Sequence, residues 1–290
     1  MALRLPRVEG YKLRHRFVEA GERHFHVART GEGPPIVLLH GWPQHWYCWR
    51  LVIPKLSSSH RVAAMDLRGF GWSDIAWEGF DKETMADDVA GVIEALELGP
   101  AFVVGHDWGG WIAYLLALRR PEVVERLVTL NAPAPFLRPT PGNVAGLVRR
   151  HQLMMASPLG PRALRQRPYV TRTLRRWSRR SENLPGNVRG RYWLDIRAST
   201  RTRAAMLFHR TWLTRELGPV IAGRYRSQRL EVPTLALYGE RDPIVPARLF
   251  RGLEERASDL RVEGVPGAGH MLPEERPDLV AERALEFFSG

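Results

Sequence analysis

The chain is poor in cysteine and has no long apolar run. Its 290 residues include a single cysteine, Cys48, which excludes an internal disulfide and any metal site built from several cysteines. No stretch approaches the roughly 18 to 20 apolar residues of a transmembrane helix. No apolar run follows the basic start of the chain in the manner of a secretory signal peptide. We therefore expect a cytoplasmic protein.

The sequence is also poor in lysine, so its positive charge comes almost entirely from arginine. There are only three lysines, and the formal net charge is +12. Residues 134–230 hold 21 arginines and three acidic residues, whereas the rest of the chain carries a net negative charge. Codon usage in a GC-rich genome, with arginines on solvated surfaces, accounts for arginine over lysine, and less well for this concentration in one segment. Nucleic-acid binding is suggested by the charge alone, and no nucleic-acid-binding motif supports it.

Short apolar runs alternate with longer helical patterns, which is typical of βαβ units and a mostly parallel sheet. The pattern predicts strands at residues 36–39, 62–65, 102–104, 127–130, 234–238 and 260–262, and helices at 85–96, 111–118 and 278–288. Residues 134–230 instead show arginine and tryptophan at helical spacing, with prolines at both ends. We therefore predict a core domain made of residues 1–133 and 231–290, with a helical, arginine-rich domain inserted at 134–230.

A turn with small outer residues joins a predicted strand to a predicted helix at Gly105-His106-Asp107-Trp108-Gly109. This pattern is typical of a nucleophile elbow, although it also fits an ordinary turn. The central residue is Asp107 instead of serine. A carboxylate is a poor nucleophile toward acyl carbon, but it can displace a leaving group at a saturated carbon. The sequence therefore predicts an enzyme that forms an alkyl ester on Asp107 and clears it with water.

Two further residues complete a catalytic triad in the order of nucleophile, acid and histidine that an elbow of this kind implies. Asp242 follows a predicted strand, and His270 precedes the last predicted helix. We expect His270 to act as general base for the water, with Asp242 orienting its ring. The competing interpretations are a turn-capping aspartate and a surface histidine. Glu240 is a weaker candidate for the acid, and Asn131 cannot supply a carboxylate.

The run His40-Gly41-Trp42-Pro43 follows the first predicted strand. We expect the backbone N–H groups of Trp42 and Trp108 to form an oxyanion hole for the tetrahedral intermediate of ester hydrolysis. His40 is expected to have a structural role beneath this loop.

Together these motifs resemble the epoxide hydrolases of the α/β-hydrolase superfamily. The matching residues are His40-Gly-Trp-Pro43, Asp66-Leu-Arg-Gly-Phe-Gly-Trp-Ser73, Gly105-His-Asp-Trp-Gly109, Asp242 and His270. The resemblance implies an α/β-hydrolase fold, with a mostly parallel central sheet flanked by helices and a helical cap domain inserted over the site. It also implies that an epoxide is opened to a vicinal diol without a metal or an organic cofactor.

The resemblance further implies two cap tyrosines that hydrogen-bond the epoxide oxygen, one followed by Gln and the other by Arg. The matching positions here read His151-Gln152 and His209-Arg210, so histidine replaces tyrosine at both. An imidazole can donate a hydrogen bond and act as an acid, with an ordinary pKa of about 6.5. We therefore predict His151 and His209 as ring-opening donors, although both also fit ordinary helix positions. Alternative donors are Tyr169, Tyr192 and Tyr225.

A dehalogenase is the closest alternative, because it uses the same aspartate nucleophile. Haloalkane dehalogenases usually carry Asn after the His-Gly pair, where Trp42 stands here. Fluoroacetate-type enzymes place arginines just beyond the nucleophile, where Trp108 and Trp111 stand. Both departures favour an epoxide over a halide. Asp107 in place of serine argues against an esterase, and an intact triad argues against a hydrolase-like scaffold used only for binding.

Five arginines recur at helical spacing within the inserted segment: Arg172, Arg175, Arg176, Arg179 and Arg180. They predict a cationic helix face that contacts anionic lipid. An anionic substrate such as an epoxy fatty acid is the rival use of this charge. The expected partner is a small apolar or amphipathic epoxide and not a nucleic acid, and the expected assembly is a monomer or a homodimer.

Overall fold

The fold is built on one eight-stranded sheet, and the computed structural model describes residues 5–138, 140–148, 150–180 and 182–290. The strands are β1 (Arg14–Ala20), β2 (Arg23–Thr30), β3 (Pro35–Leu39), β4 (Arg61–Met65), β5 (Ala101–His106), β6 (Val124–Leu130), β7 (Thr234–Gly239) and β8 (Leu260–Val265). Their order in the sheet is β1-β2-β4-β3-β5-β6-β7-β8. Strand β2 pairs antiparallel with β1 and with β4, and all other neighbours are parallel. The predicted α/β class with a mostly parallel sheet is confirmed.

Helices flank the sheet and fill the segment between β6 and β7. Those beside the sheet are α1 (Ile53–Leu56), α2 (Lys82–Ala95), α3 (Trp108–Arg119), α11 (Leu272–Glu275) and α12 (Pro277–Ser289). Those between β6 and β7 are α4 (Pro141–Leu147), α5 (Arg150–Ala156), α6 (Leu159–Leu164), α7 (Arg167–Trp177), α8 (Gly186–Ile196), α9 (Ser199–Thr211) and α10 (Leu217–Ile221), with a π-helical turn at Trp212–Glu216. We call this second group the helical insertion. The division into a core domain and a separate cap domain stays a prediction.

The structure differs from the sequence-based expectation at both β1 and β2, which were not predicted. Strand β1 has the exposed residues Arg14, Arg16 and Phe17 and only one buried side chain, Val18. It lies at the edge of the sheet, where a strand needs little apolar surface. Helix α2 also begins three residues earlier than the predicted residue 85, because the side chain of Asp81 accepts the Thr84 N–H and is the N-cap.

The central strands place the loops that carry the predicted site residues at one edge of the sheet. Strands β3 and β5 are apolar and buried almost throughout, as expected where helices cover both faces of a parallel sheet. Because parallel strands end at the same edge, the loops after β3, β5, β6 and β7 meet there. Within the described residues, no helix combines the length and the apolar character needed to cross a membrane.

Candidate active site

The predicted elbow is present between β5 and α3. Asp107 has φ of 52° and ψ of −119°, a backbone conformation that costs energy for a residue with a side chain. A Cβ atom on Gly105 would lie 2.5 Å from the Gly109 carbonyl oxygen, and one on Gly109 would lie 2.4 Å from that of Leu39. Glycine is therefore required at both outer positions. The Asp107 N–H donates to the Leu130 carbonyl at 2.9 Å, which fixes the turn to β6.

The Asp107 carboxylate is held by the loop after β3 and approached by a histidine. Its Oδ2 accepts the backbone N–H of Trp42 at 3.0 Å, and its Oδ1 lies 3.5 Å from Nε2 of His270. Burial opposes the negative charge, but His270 and the Trp42 N–H outweigh it and lower the pKa of Asp107. The side chain is thus an anion at neutral pH, which is the form that the predicted nucleophile requires. The oxyanion-hole roles of the Trp42 and Trp108 N–H groups stay predictions.

His270 and Asp242 form the pair expected from the sequence. Nδ1 of His270 lies 2.8 Å from Oδ2 of Asp242, and both side chains are fully buried. Burial disfavours an imidazolium, yet the carboxylates of Asp242 and Asp107 outweigh it and raise the pKa of His270 to about 10. Glu240, the weaker candidate for the acid, is exposed. His270 is therefore a cation between two carboxylates when no substrate is bound.

Asn131 supports this pair, a role that sequence reasoning missed. Its amide Nδ2 donates to Oδ2 of Asp242 at 2.7 Å and to the Gly269 carbonyl at 3.2 Å. The other carboxylate oxygen of Asp242 accepts the N–H groups of Ile244 at 2.6 Å and Val245 at 3.0 Å. The carboxylate is therefore fixed from two sides. Asn131 has φ of 51°, a conformation that asparagine tolerates better than most residues.

Glu275 ties the His270 loop to the helical insertion. Its carboxylate accepts the backbone N–H groups of Gly269 and Met271, which flank His270, at 3.0 Å each. It also accepts those of Arg179 at 2.9 Å and Arg180 at 3.0 Å, just after α7. One buried carboxylate thus joins the two backbone segments.

Two more hydrogen bonds hold the backbone of His270. Its N–H donates to the Trp177 carbonyl at 2.9 Å, at the end of α7. Nε2 of His106 lies 2.7 Å from the His270 carbonyl and donates to it, because a carbonyl oxygen can only accept. Burial lowers the pKa of His106 to about 4, so this ring is neutral.

The two histidines predicted from the insertion meet above Trp42. The His151 ring stacks on the Trp42 ring with 5.8 Å between centroids, and the His209 ring meets it edge-on at 5.1 Å. Their own centroids are 6.3 Å apart. His151 lines a cavity of about 50 Å³ together with Asp107. The other lining residues are Trp108, Trp111, Pro133, Leu147, Gln152, Trp212, Ile244, Val245 and Leu249.

The hydrogen bonding of His209 limits what it can donate. Its Nδ1 lies 2.8 Å from the Ala205 carbonyl, so Nδ1 carries the proton. Burial lowers the pKa of His209 to about 3, which keeps the ring neutral. Nε2 is then a hydrogen-bond acceptor. The donor roles of His151 and His209 stay predictions, and this tautomer favours His151.

The alternative tyrosine donors are engaged elsewhere. The Tyr192 hydroxyl donates to Glu274 at 2.5 Å, and the Tyr225 hydroxyl donates to Glu83 at 2.6 Å. Tyr169 does not line the cavity that contains Asp107. None of the three is therefore positioned to meet a substrate in that cavity.

Comparisons with known proteins identify the family of the chain. Residues 34–277 match the family described as the alpha/beta hydrolase fold. A soluble epoxide hydrolase from Corynebacterium sp. (strain C12) is 33% identical over 279 residues, which cover 91% of this chain and 93% of that protein. The chain belongs to the α/β-hydrolase fold family.

More distant members of this family align over nearly the whole chain. Epoxide hydrolase 3 of Xenopus tropicalis is 28% identical, with 94% of this chain and 76% of that protein covered. The solved structure of the epoxide hydrolase CorEH superimposes with a TM-score of 0.85 at 28% identity, covering 96% of this chain and 99% of that one. The resemblance inferred from the motifs is confirmed, and the chain is an α/β hydrolase whose relatives are named as epoxide hydrolases.

Proposed function

We propose that this α/β hydrolase converts an epoxide to a vicinal diol through an ester on Asp107. The observation that carries the proposal is a carboxylate on the elbow, anionic at neutral pH and within 3.5 Å of a histidine that a second carboxylate holds. The names of the relatives support the epoxide as the substrate class. The helical insertion serves as the cap that closes the site over the substrate.

In the first half of the cycle, Asp107 attacks a ring carbon of the epoxide. A bond forms between the carboxylate oxygen and that carbon while the ring C–O bond breaks, and the freed oxygen takes a proton from a donor in the insertion. His151 is the proposed donor, because it lines the cavity with Asp107. His209 offers only an acceptor at Nε2 in its buried neutral form. The product is a hydroxyalkyl ester of Asp107.

In the second half, water hydrolyses the ester. Esterification removes the negative charge of Asp107, so it removes one of the two charges that raise the pKa of His270. His270 can then release its proton to solvent and, as a neutral base, accept one from water, whose oxygen adds to the ester carbonyl carbon. The oxyanion forms beside the Trp42 and Trp108 N–H groups.

Collapse of this intermediate closes the cycle. The bond between the carbonyl carbon and the alkyl oxygen breaks, and the proton held by His270 passes to that oxygen as the diol leaves. The carboxylic acid of Asp107 loses its proton, which restores the donor that opened the ring. Once Asp107 is an anion again at the end of the cycle, His270 regains a proton from solvent. The cycle uses neither a metal nor an organic cofactor, and Asp242 stays ionised throughout to hold the imidazolium.

A single turnover in ¹⁸O-labelled water tests the ester. With enzyme in excess over styrene oxide, the diol should carry unlabelled oxygen and the label should appear in the peptide that contains Asp107. His270→Gln should accumulate the ester, visible as a mass increase of the intact protein equal to one substrate. A diol labelled in the first turnover would mean that water attacks the epoxide directly, and the ester route would be wrong.

A substrate panel separates this proposal from a dehalogenase with the same nucleophile. Wild type is incubated with epoxides and with chloro- and bromoalkanes of matched chain length, and diol and free halide are measured. We expect diol formation that Asp107→Ala abolishes. Halide release without a diol from any epoxide would instead assign the dehalogenase reaction to this site.

A further inference from the structure

A second polar feature lies away from the elbow, where β1, β2 and β4 adjoin. A groove of about 410 Å³, which we call the basic groove, opens at this end of the sheet. Its lining residues are Lys12, Arg14, Arg16, Arg29, Thr30, Gly31, Glu32 and Arg61. Five are cationic and one is acidic. The groove lies outside residues 134–230, in the part of the chain that is otherwise net negative, so it is not part of the arginine-rich segment.

The strand register explains why the charges converge. Arg14 on β1 lies directly opposite Arg29 on β2, and Arg29 lies opposite Ala63 on β4. Directly opposite residues share a face of the sheet, and so do residues two apart on a strand. Arg16 and Arg61 are each two residues from one of these positions. All four guanidinium groups therefore rise from the same face at the same end of the sheet.

This arrangement is unfavourable for the protein alone. Like charges placed directly opposite each other destabilise a strand pair. Within the described part of the chain, none of the five cations forms an ion pair, and the buried Nε atom of Arg61 has no hydrogen-bond partner. Partial burial, together with the charges of Arg16, Arg61 and Arg14, lowers the pKa of Arg29. Although Glu32 also lines the groove, no carboxylate of the described residues lies within ion-pair distance of these cations, and an anion in the groove would relieve their repulsion.

We propose that the basic groove binds a phosphate-bearing ligand with two or more closely spaced negative charges. Arginine favours this chemistry because its planar guanidinium donates two parallel hydrogen bonds to a phosphate. Four such groups around one open groove suit several phosphoryl oxygens at once. The same chemistry occurs in a soluble oligophosphate and in a phospholipid headgroup. The site is separate from the cavity at Asp107, so it does not depend on the proposed hydrolysis.

The test compares two double variants of the full-length protein that lose the same charge. Arg29→Gln with Arg61→Gln alters the groove, and Arg251→Gln with Arg256→Gln removes two exposed arginines elsewhere. Tripolyphosphate binding is measured by calorimetry, with chloride at matched ionic strength as the reference. We expect wild type and the control to bind one equivalent, and the groove variant to bind about tenfold more weakly or worse. If both double variants bind tripolyphosphate equally well, binding depends only on the net charge of the protein, and the proposal is overturned.

A second groove variant guards against misfolding of the first. Arg14 and Arg16 are exposed on β1, so Arg14→Gln with Arg16→Gln should fold and should also weaken tripolyphosphate binding. Normal affinity in this variant would likewise overturn the proposal.

Vesicles containing phosphatidic acid distinguish the two sources. Binding to them that depends on the groove arginines and is displaced by tripolyphosphate indicates a headgroup, whereas tripolyphosphate binding without vesicle binding indicates a soluble ligand. Absence of both would overturn the proposal.

Discussion

Nε2 of His270 lies 3.5 Å from Oδ1 of Asp107, while Nδ1 of the same ring is held at 2.8 Å by Asp242. The imidazole thus lies close to the Asp242 carboxylate and farther from Asp107, the proposed nucleophile. This asymmetry suits a group that must stay in place while Asp107 changes from an anion to an ester and back.

The charge on His270 makes stability depend on pH. Its pKa in the folded protein is about 10, above the value of about 6.5 expected in the unfolded chain. A raised pKa means that folding stabilises the cation, so this contribution is complete below about pH 6.5 and is lost as the pH rises to about 10. The difference in unfolding free energy between wild type and His270→Gln, measured in urea, should therefore shrink over that range. A difference that does not change with pH would contradict the charged pair.

The same argument predicts an effect of Asp107 on the titration of His270. Asp107→Asn removes one of the two carboxylates beside the ring, so the pKa of His270 should fall. The imidazole resonances can be followed by NMR as the pH is raised. Asp74→Asn, which removes an exposed carboxylate beside His24, is the matched control and should leave His270 unchanged. If the titration midpoint of His270 is unchanged in Asp107→Asn, Asp242 alone is responsible for the raised pKa of His270.

The nucleophile turn could be predicted from sequence because its constraints are local. Gly105 and Gly109 are required by atoms of the same turn and of the adjoining β3, and the strand and helix on either side have clear periodicity. Asn131 and Glu275 could not be found in this way. Asn131 meets Asp242 across 111 positions of the chain, and Glu275 meets Arg180 across 95. Such contacts exist only after folding, and nothing in the local sequence indicates them.

The tautomer of His209 could not be predicted from the sequence for a different reason. His209 is predicted as a donor because it matches a cap tyrosine of the family and because an imidazole can donate a hydrogen bond. Its actual capacity depends on burial and on the Ala205 carbonyl one helical turn earlier. Strand β1 also escaped prediction, because it is an edge strand with many exposed polar residues.

Glu275 is expected to position His270. Glu275→Gln keeps one acceptor oxygen and replaces the other with an amide nitrogen that cannot accept, so one of the N–H groups that flank His270 loses its partner. A displacement of the ring near 1 Å would lower kcat by roughly 100-fold, mainly in ester hydrolysis, so the ester should accumulate in stopped reactions. Glu274→Gln is the control, because this neighbouring buried carboxylate pairs with Arg50 instead of the His270 loop. Equal loss of kcat in both variants would indicate general destabilisation.

The ring-opening donor can be separated from its neighbour by substitution. His151→Phe should slow ester formation by about 10²- to 10⁴-fold, the usual contribution of a general acid, whereas His151→Tyr should retain much of the rate. His209→Phe should have a smaller effect, since Nε2 of His209 does not donate. Single-turnover mass spectrometry of the protein gives these rates directly. A larger loss in His209→Phe than in His151→Phe would reverse the assignment.

The exposed arginines of α7 are proposed to contact anionic lipid. Arg172 and Arg176 are exposed and form no ion pair within the described residues. Each arginine near an anionic membrane contributes about 1 kcal/mol, so Arg172→Gln with Arg176→Gln should weaken binding to phosphatidylserine vesicles roughly 30-fold. Co-sedimentation with anionic and neutral vesicles measures this, with Arg251→Gln and Arg256→Gln as the control pair. Equal binding to both lipids would end this proposal.

The four hydrogen bonds accepted by Glu275 bear on how a substrate enters. The Glu275 carboxylate binds both the segment after α7 and the loop of His270. Moving these two segments apart would break the hydrogen bonds that position His270, the proposed general base. Entry is therefore expected beside Leu147 and Leu249, which line the cavity and take no part in these hydrogen bonds. Amide hydrogen exchange should be fast at these two residues and slow at Gly269 and Arg180. The cavity is then expected to open on one side only, while His270 keeps its position beside Asp107.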